Sequence, residues 1–499
     1  MTGIRVTYSG LIAFGVRILS IFTGLIFTVI VTRQLTPEEF GTWGLINGIL
    51  IYALIINPII NYWVTREIAR AENTSSTAMF SSGIFSGAGV VIYLISAYII
   101  GIQSNADLGT LFFAAILIPM IFIHNCFGAI NQGYKPQINS YGMLAFEIVK
   151  IPSGLIFVYF NQLGVEGAII STFLAYVSSI FVQGYFSRKK FRSSIQKKHL
   201  KKWLKLFWIP TYRRVPSIIQ MSDVTVFSVM TGSVLGVAYF TAAKTIGMLV
   251  NHVRAFSTAL YPKLLESEKE EFLQENLIKL FYFSFPLIAF SITFAEAGLF
   301  VLNPAYQIAA PLVLFISIKM FLKTLNQVFF EALQGIEKID KNENSTFKEY
   351  LKSKLIWIPT FDLIRHAVYI GLLAVLLFIL VSRTDSMIDL VLYWSVIGVL
   401  IEIPLTIYVI RVTKKSFKLK IDMKSSLKYL LTTIVIFGVI GIIMQEYLIF
   451  EESIFEFLPS LLPYLICSII GYFGITYLID YRTKVLFKAI WNEVLKKRI

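Results

Sequence analysis

From Tyr8 onward the chain runs in apolar stretches about as long as a membrane is thick, some 20 residues each, separated by short polar intervals. They fall at 8–32, 40–64, 79–102, 108–131, 141–161, 166–187, 206–231, 235–260, 277–296, 308–331, 356–381, 388–410, 427–446 and 459–480. None alternates apolar and polar positions in the manner of a barrel strand. In lipid, a helix satisfies every backbone polar group within its own segment. The pattern therefore predicts an all-α integral membrane protein of about 14 transmembrane helices. The first stretch is of full length and contains Arg17, which argues against a cleavable signal peptide.

Composition agrees: 56% of the 499 residues are hydrophobic and 15% charged, and the mean hydropathy is +0.71. Soluble domains carry roughly a quarter charged residues. The net charge of +15 would in a soluble chain suggest nucleic acid, but here its distribution explains it. Alternate loops hold 34 Lys and Arg residues, and the opposite loops hold only Arg33 and Arg383. By the positive-inside rule both termini are cytoplasmic, in a multi-pass protein of the cell membrane. The charge then has a topological cause that needs no nucleic-acid partner, and membrane lipids are the expected neighbours of the loop lysines. Cys126 and Cys467 both lie in apolar stretches and imply neither a disulfide framework nor a metal site.

The basic run from Arg188 to Lys205 separates six spans from eight. Laying Phe27–Trp43 on Phe227–Ala243 without gaps aligns Phe27 with Phe227, Val29 with Val229, Leu35 with Leu235 and Phe40 with Phe240. Both stretches join the first and second spans of a bundle, so a parallel repeat follows. The organisation read from this is a six-helix bundle over 1–187, a basic cytoplasmic linker over 188–205 and a second six-helix bundle over 206–415. Two additional helices and a cytoplasmic tail occupy 416–499.

Several motifs resemble the polysaccharide flippases of the multidrug/oligosaccharidyl-lipid/polysaccharide (MOP) superfamily. These are Arg33-Gln-Leu-Thr-Pro-Glu-Glu-Phe-Gly-Thr-Trp-Gly44, Asp223 followed by Gly236-Val-Ala-Tyr-Phe-Thr-Ala-Ala243, Tyr261-Pro-Lys-Leu264, Asn303-Pro-Ala-Tyr306 and Leu333-Gln-Gly-Ile-Glu-Lys-Ile-Asp340. The resemblance covers about residues 1–415. It implies a V-shaped pair of six-helix bundles that moves a lipid-linked oligosaccharide from the cytoplasmic to the outer leaflet by alternating access. Cytoplasmic or membrane glycosyltransferases would be its partners.

Ionisable residues at membrane depth give a separate reading, because each is costly there unless it faces a bundle interior or a wet cavity. Cations exceed acids, and unpaired cations suit a phosphate or diphosphate headgroup. Arg17, Arg213, Arg214, Lys244, Arg254, Lys319 and Lys323 are the candidate phosphate-binding residues. Asp223 and Glu147 are candidates for ion coupling. Pro210 and Pro216 flank Arg213 and Arg214 and predict a kinked backbone there, suited to headgroup capture at a hinge. The spacings Glu147/Lys150 and Asp362/Arg365/His366 predict self-neutralised groups on one helical face. His124 and His252 are expected to be hydrogen-bonded interior residues, Asp223 could alternatively pair with Arg17 or Arg254, and Trp63, Trp208 and Trp394 read as interfacial anchors.

Two other readings stand beside the flippase. A cation-coupled multidrug antiporter of the same superfamily would be expected to show buried acids in excess. A membrane glycosyltransferase or polymerase would need acidic metal ligands or a large outer loop, and the outer loops are short with no Asp-X-Asp pair. No Walker A sequence is present and no cofactor is implied, so the chain does not read as an enzyme or a nucleotide-driven pump.

Overall fold

The computed structural model describes residues 6–70, 72–192, 194–257, 270–336, 353–384, 386–417, 422–485 and 487–488. Among these residues the fold is all-α, without a strand. Among the described residues eleven helices are long and apolar enough to cross a membrane, and they coincide with eleven of the fourteen apolar stretches. Of the remaining three, the first span is helix α1 (Val6–Gln34), whose described side chains form an apolar stretch over Phe22–Gln34. The seventh is split into two helices, and the eighth is a 13-residue α-helix that tightens into a 3₁₀ stretch at Met248–Ser257.

Helix α2 (Pro37–Ala69) starts where its sequence says it should. Thr36 accepts from the Glu39 N–H at 3.2 Å while Glu39 accepts from the Thr36 N–H at 2.8 Å, a capping box with Pro37 in the first turn. A 3₁₀ segment at Leu54–Ile56 interrupts α2 just before Pro58, which has no N–H to offer the ladder. Helices α3 (Ser75–Gln103), α4 (Leu108–Tyr134), α5 (Gln137–Phe160) and α6 (Gly164–Ser187) follow. The last turn and a half of α5, Leu155–Phe160, is π-helical, just past the internal Pro152.

The basic stretch after α6 folds into a helix of its own, α7 (Lys197–Lys205), whose Trp203 is fully buried. Helix α8 (Trp208–Met221) then runs unbroken through both prolines. Pro210 lies in its first turn, where the missing N–H has no intrahelical partner to lose. The kink expected at Pro210 and Pro216 falls instead at Ser222, where α9 (Asp223–Thr231) begins. Helix α9 closes on Gly232 at φ 64°, the left-handed cap that glycine adopts without strain.

After α10 (Leu235–Gly247) come α11 (Glu270–Thr293), α12 (Ala295–Leu302), α13 (Ala310–Gly335), α14 (Lys354–Leu380), α15 (Met387–Ser416), α16 (Met423–Tyr447) and α17 (Ile454–Ile479). By spatial contact the chain forms two compact units, Met1–Tyr239 with Asp362–Leu390, and Phe240–Phe361 with Val391–Ile499. In the first unit, Ile60, Val64, Ile68, Cys126 and Ile130 pack around Trp203. In that unit Gly41 of α2 lies so close to the chain after α9 that a Cβ there would stand 2.2 Å from the Val234 carbonyl oxygen. In the second unit one cluster joins α11, α13 and α15, and another joins α11 and α12 to α16 and α17. The two C-terminal helices are tied to α11 by Tyr472, which donates to the Tyr282 carbonyl at 2.6 Å, and by the Tyr282/Thr476 hydroxyl pair at 3.2 Å. Large apolar side chains such as Phe181, Phe378 and Leu478 point outward, the arrangement a lipid solvent favours.

Candidate functional site

A cavity of about 500 Å³ in the first unit draws on α1, α2, α4, α5, α6 and α8. Lys150 and Arg214 bring two positive charges to it, and no Asp or Glu is among its described lining residues. The rest of the wall mixes amides, Asn47 and Asn125, with the aromatic side chains of Trp43, Phe146 and Tyr176. Such a wall offers charge-assisted donors for an anion and amides and rings for a polar, ring-shaped group.

Lys150 was not among the residues singled out for phosphate, because Glu147 stands three positions before it. The structure separates the two. Glu147 is buried and accepts from α1, from the Ser20 hydroxyl at 2.6 Å and the Thr23 hydroxyl at 2.7 Å. Lys150 turns its ammonium to ring faces, 4.4 Å from the centre of Phe27 and 5.5 Å from that of Phe146. Glu147 and Lys150 form no close ion pair, although the carboxylate still acts on the ammonium through space, so the expected self-neutralised pair holds only as that longer-range attraction. Three residues along a helix is a turn with some angular offset, and here the offset sends one side chain to α1 and the other into the cavity. The Asp362 group follows its spacing: Arg365 pairs with Asp362, and His366 Nε2 stands 2.8 Å from the same guanidinium.

The other predicted cations scatter. Arg17 and Arg213 lie on α1 and α8, with their side chains outside the described residues. In the second unit Arg254 is exposed and ion-paired with Glu331 at 3.1 Å, so it is not free to hold Asp223. Lys244 is half-buried with its ammonium 5.8 Å from the Phe240 ring centre. Lys319 is buried and lies across Gly398 of α15, where a Cβ would come within 2.8 Å of Nζ. Lys323 is half-buried one turn further along α13. Asn326 continues the same face and donates to the buried Glu402 at 3.0 Å. The cationic face of α13 therefore packs on the part of α15 that carries an acid.

Asp223 opens α9 at the break after α8. It is buried, accepts from the Tyr369 hydroxyl at 2.9 Å, and takes the Val224 N–H at 2.9 Å. The free N–H groups of a helix start favour a carboxylate at this position. Beside it, Tyr52 and Thr225 share a hydroxyl hydrogen bond. His124 contacts Gln183 at 3.3 Å, as an interior histidine should, whereas His252 is exposed. Trp394 is not an interfacial anchor: it is fully buried and stacks on Phe240 with ring centres 3.7 Å apart.

A third polar cluster was not foreseen. Glu67, Glu72 and His199 place ligand-type atoms within 4.8 Å of one another. Lys202 already sits on Glu67 at 2.8 Å and supplies there the positive charge a metal would bring.

The model of the polysaccharide biosynthesis protein family matches residues 7–268, more than half of the chain. The chain belongs to that family. No curated protein matches this family member in sequence. Among solved structures, the lipid II flippase MurJ in an inward closed conformation is 14% identical with a TM-score of 0.65, over 94% of this chain and 100% of that one. An inward-facing multidrug resistance MATE family transporter of the MOP superfamily is 16% identical with a TM-score of 0.60, over 81% and 98%. A MOP superfamily transporter from Pyrococcus furiosus, described as having a binding pocket whose reverse polarity suggests a different function, is 18% identical with a TM-score of 0.51, over 82% and 95%. These likenesses show that the family member has the MOP transporter fold, as the sequence motifs implied, and its apolar helices of membrane-spanning length make it a multi-pass membrane protein.

Proposed function

We propose that the protein is a flippase that moves a polyprenyl-phosphate- or polyprenyl-diphosphate-linked oligosaccharide from the cytoplasmic to the outer leaflet by alternating access, with both termini cytoplasmic and glycosyltransferases supplying or consuming the cargo. The observation that carries this reading is the first-unit cavity, with Lys150 and Arg214 in its wall and no acid among its described lining residues. An anionic headgroup gains charge-assisted hydrogen bonds there, whereas a cationic drug would meet like charge. The family supports the link to polysaccharide assembly, and the likeness to a lipid II flippase supports movement of a lipid-linked sugar. Arg213, next to Arg214 on α8, and Arg17 on α1 are assigned to the same capture step on charge and helix position. Of the other predicted phosphate ligands, Lys244 and Lys323 are assigned a secondary role along the cargo's path in the second unit, and Arg254 and Lys319, already compensated there, are assigned to helix packing. Asp223 is the favoured ion-coupling residue, with Glu147 second, since each is a buried acid that accepts hydrogen bonds from neutral donors.

The test is transbilayer movement of a fluorescent polyprenyl-phosphate sugar in proteoliposomes, comparing wild type with Lys150→Met/Arg214→Gln. Each substitution keeps much of the side-chain volume and removes the charge. Wild-type movement that falls by at least tenfold in the folded double variant is the expected result, from about 1.5–3 kcal/mol per hydrogen bond to a charged group. Wild type that ignores the lipid-linked sugar and exports a cationic dye would replace this reading with the antiporter.

A further inference from the structure

Helix α7 carries Lys197, Lys198, Lys201, Lys202 and Lys205 within nine residues, and all five are exposed. Its other face is held down firmly. Trp203 is fully buried and donates its indole N–H to Glu67 Oε2 at 3.1 Å, and Lys202 donates to Glu67 Oε1 at 2.8 Å. His199 Nδ1 lies 3.3 Å from Glu67 Oε2 and 3.9 Å from Glu72 Oε2. Just before the helix, the Gln196 N–H donates to Thr77 Oγ1 at 2.9 Å. Glu67 lies at the end of α2 and is only 2% exposed, so a buried carboxylate fixes the height and rotation of α7 on the first unit.

The exposed surface beside the lysines is apolar. Ile195, Leu204, Phe207 and Trp208 are each 45–51% exposed, and Trp208 is the first residue of α8. Lysines beside exposed aliphatic and aromatic side chains, at the foot of the amphipathic helix α8, are what a bilayer interface selects. The rings and aliphatic chains sit at the acyl boundary and the ammonium groups reach the headgroups.

We infer that α7 is a docked interfacial helix that gathers anionic lipid headgroups, and that the Glu67 anchor sets the geometry in which it does so. Its ligand is the phosphate of an anionic membrane lipid at the foot of α8. This rests on the chain spanning a membrane and is independent of which cargo is moved, so the two can fail separately. An acidic protein segment would satisfy the lysines but would leave the exposed Ile195, Leu204, Phe207 and Trp208 without an apolar partner, which is why a lipid surface is preferred.

The experiment uses the full chain reconstituted in phosphatidylcholine bilayers containing phosphatidylglycerol, with bromine carried on the acyl chains of one lipid or the other at equal mole fraction. Quenching of Trp208 is read as the difference between wild type and Trp208→Phe. Brominated phosphatidylglycerol should quench Trp208 several-fold more effectively than brominated phosphatidylcholine, since each lysine near the surface favours an anionic lipid by up to about fivefold. The preference should fall in about 1 M salt, where the screening length is about 3 Å, which tests charge without altering the protein. It should also fall in Lys197→Gln/Lys198→Gln/Lys201→Gln/Lys205→Gln, which leaves the Lys202 anchor in place. Glu67→Gln should weaken the preference although it removes an acid and leaves every lysine. Equal quenching by the two lipids in wild type, or a preference untouched by salt and by the lysine substitutions, would overturn the proposal and leave an acidic protein segment as the occupant. A Glu67→Gln variant with an unchanged or stronger preference would overturn the role of the anchor.

Discussion

The two units treat their cations in opposite ways. In the first, Lys150 rests on ring faces and shares a cavity with Arg214, with no described acid in the wall. In the second, Arg254 is paired with Glu331, and Lys319 lies across Gly398 on the helix that brings Glu402 to Asn326. Lysine and arginine occur in both, so residue type does not identify a binding residue. What separates them is whether an acid or a close-packed backbone has already taken up the charge. A cation left facing a cavity costs stability that a bound anion can return, while a compensated cation holds helices together.

That contrast can be broken most directly by exchanging costs. Lys150→Met should lower cargo affinity by about 10- to 100-fold while leaving thermal stability in detergent unchanged or higher, because a desolvated charge is removed. A drop in melting temperature matching the loss of transport would place Lys150 with the structural cations. Glu402→Ala should do the reverse. It strips the Asn326 amide of its buried acceptor and should cost about 1.5–3 kcal/mol of stability, with transport per folded molecule little changed in a thermal-shift and flux comparison.

Tyr369→Phe is a finer probe. It removes one donor to Asp223 at a cost of about 1 kcal/mol. If Asp223 couples transport to protons, the pH at which transport is half-maximal should move; an unshifted profile would count Asp223 as structural.

The smallest effect is expected at Asp422, the cap of α16. The Ser425 N–H, with help from the Ser425 hydroxyl and Arg482, holds its carboxyl below the ordinary carboxylate range against the opposing effect of burial. A depressed carboxyl stabilises the fold above the ordinary value and loses that contribution as pH falls through the folded one. Asp422→Ala should therefore cost about 1 kcal/mol from neutral pH down to about pH 5, and the gap from wild type should close below about pH 4. Melting temperatures across that range check it.

Hydropathy made most of the fold legible, because a bilayer leaves the backbone few choices. The capping box at Thr36 could be read residue by residue, and so could the Asp362/Arg365 pair. The candidate site was much less legible. Helical spacing predicted that Glu147 would neutralise Lys150, but the decisive partners, Ser20 and Thr23, lie more than 120 positions away on another helix. Lys319 and Lys323 looked uncompensated because α15, which packs on Lys319 and brings Glu402 to Asn326 of the same helix, is distant in sequence. Trp394 looked interfacial from its place near a span end, yet a stacked Phe240 buries it. The basic run at 188–205 read as a linker because lysines dominate it, although Leu200, Trp203 and Leu204 recur at helical spacing within it and Phe207 continues the pattern; its docking partner, Glu67, lies more than 130 positions away. In each case local sequence fixes which way a helix runs, while tertiary packing fixes what its side chains meet.

The bond between Tyr282 and Thr476 spans 194 residues. At about 5–20 residues per second, synthesis needs roughly 10 to 40 s to supply the second partner after the first. During that interval α11 sits in the bilayer with the face that will carry α16 and α17 turned to lipid, and its tyrosine hydroxyl must find a temporary acceptor. Maturation of this chain is thus paced by its last two helices, and a ribosome stalled before α17 would leave behind an inserted intermediate for the quality-control proteases of the membrane.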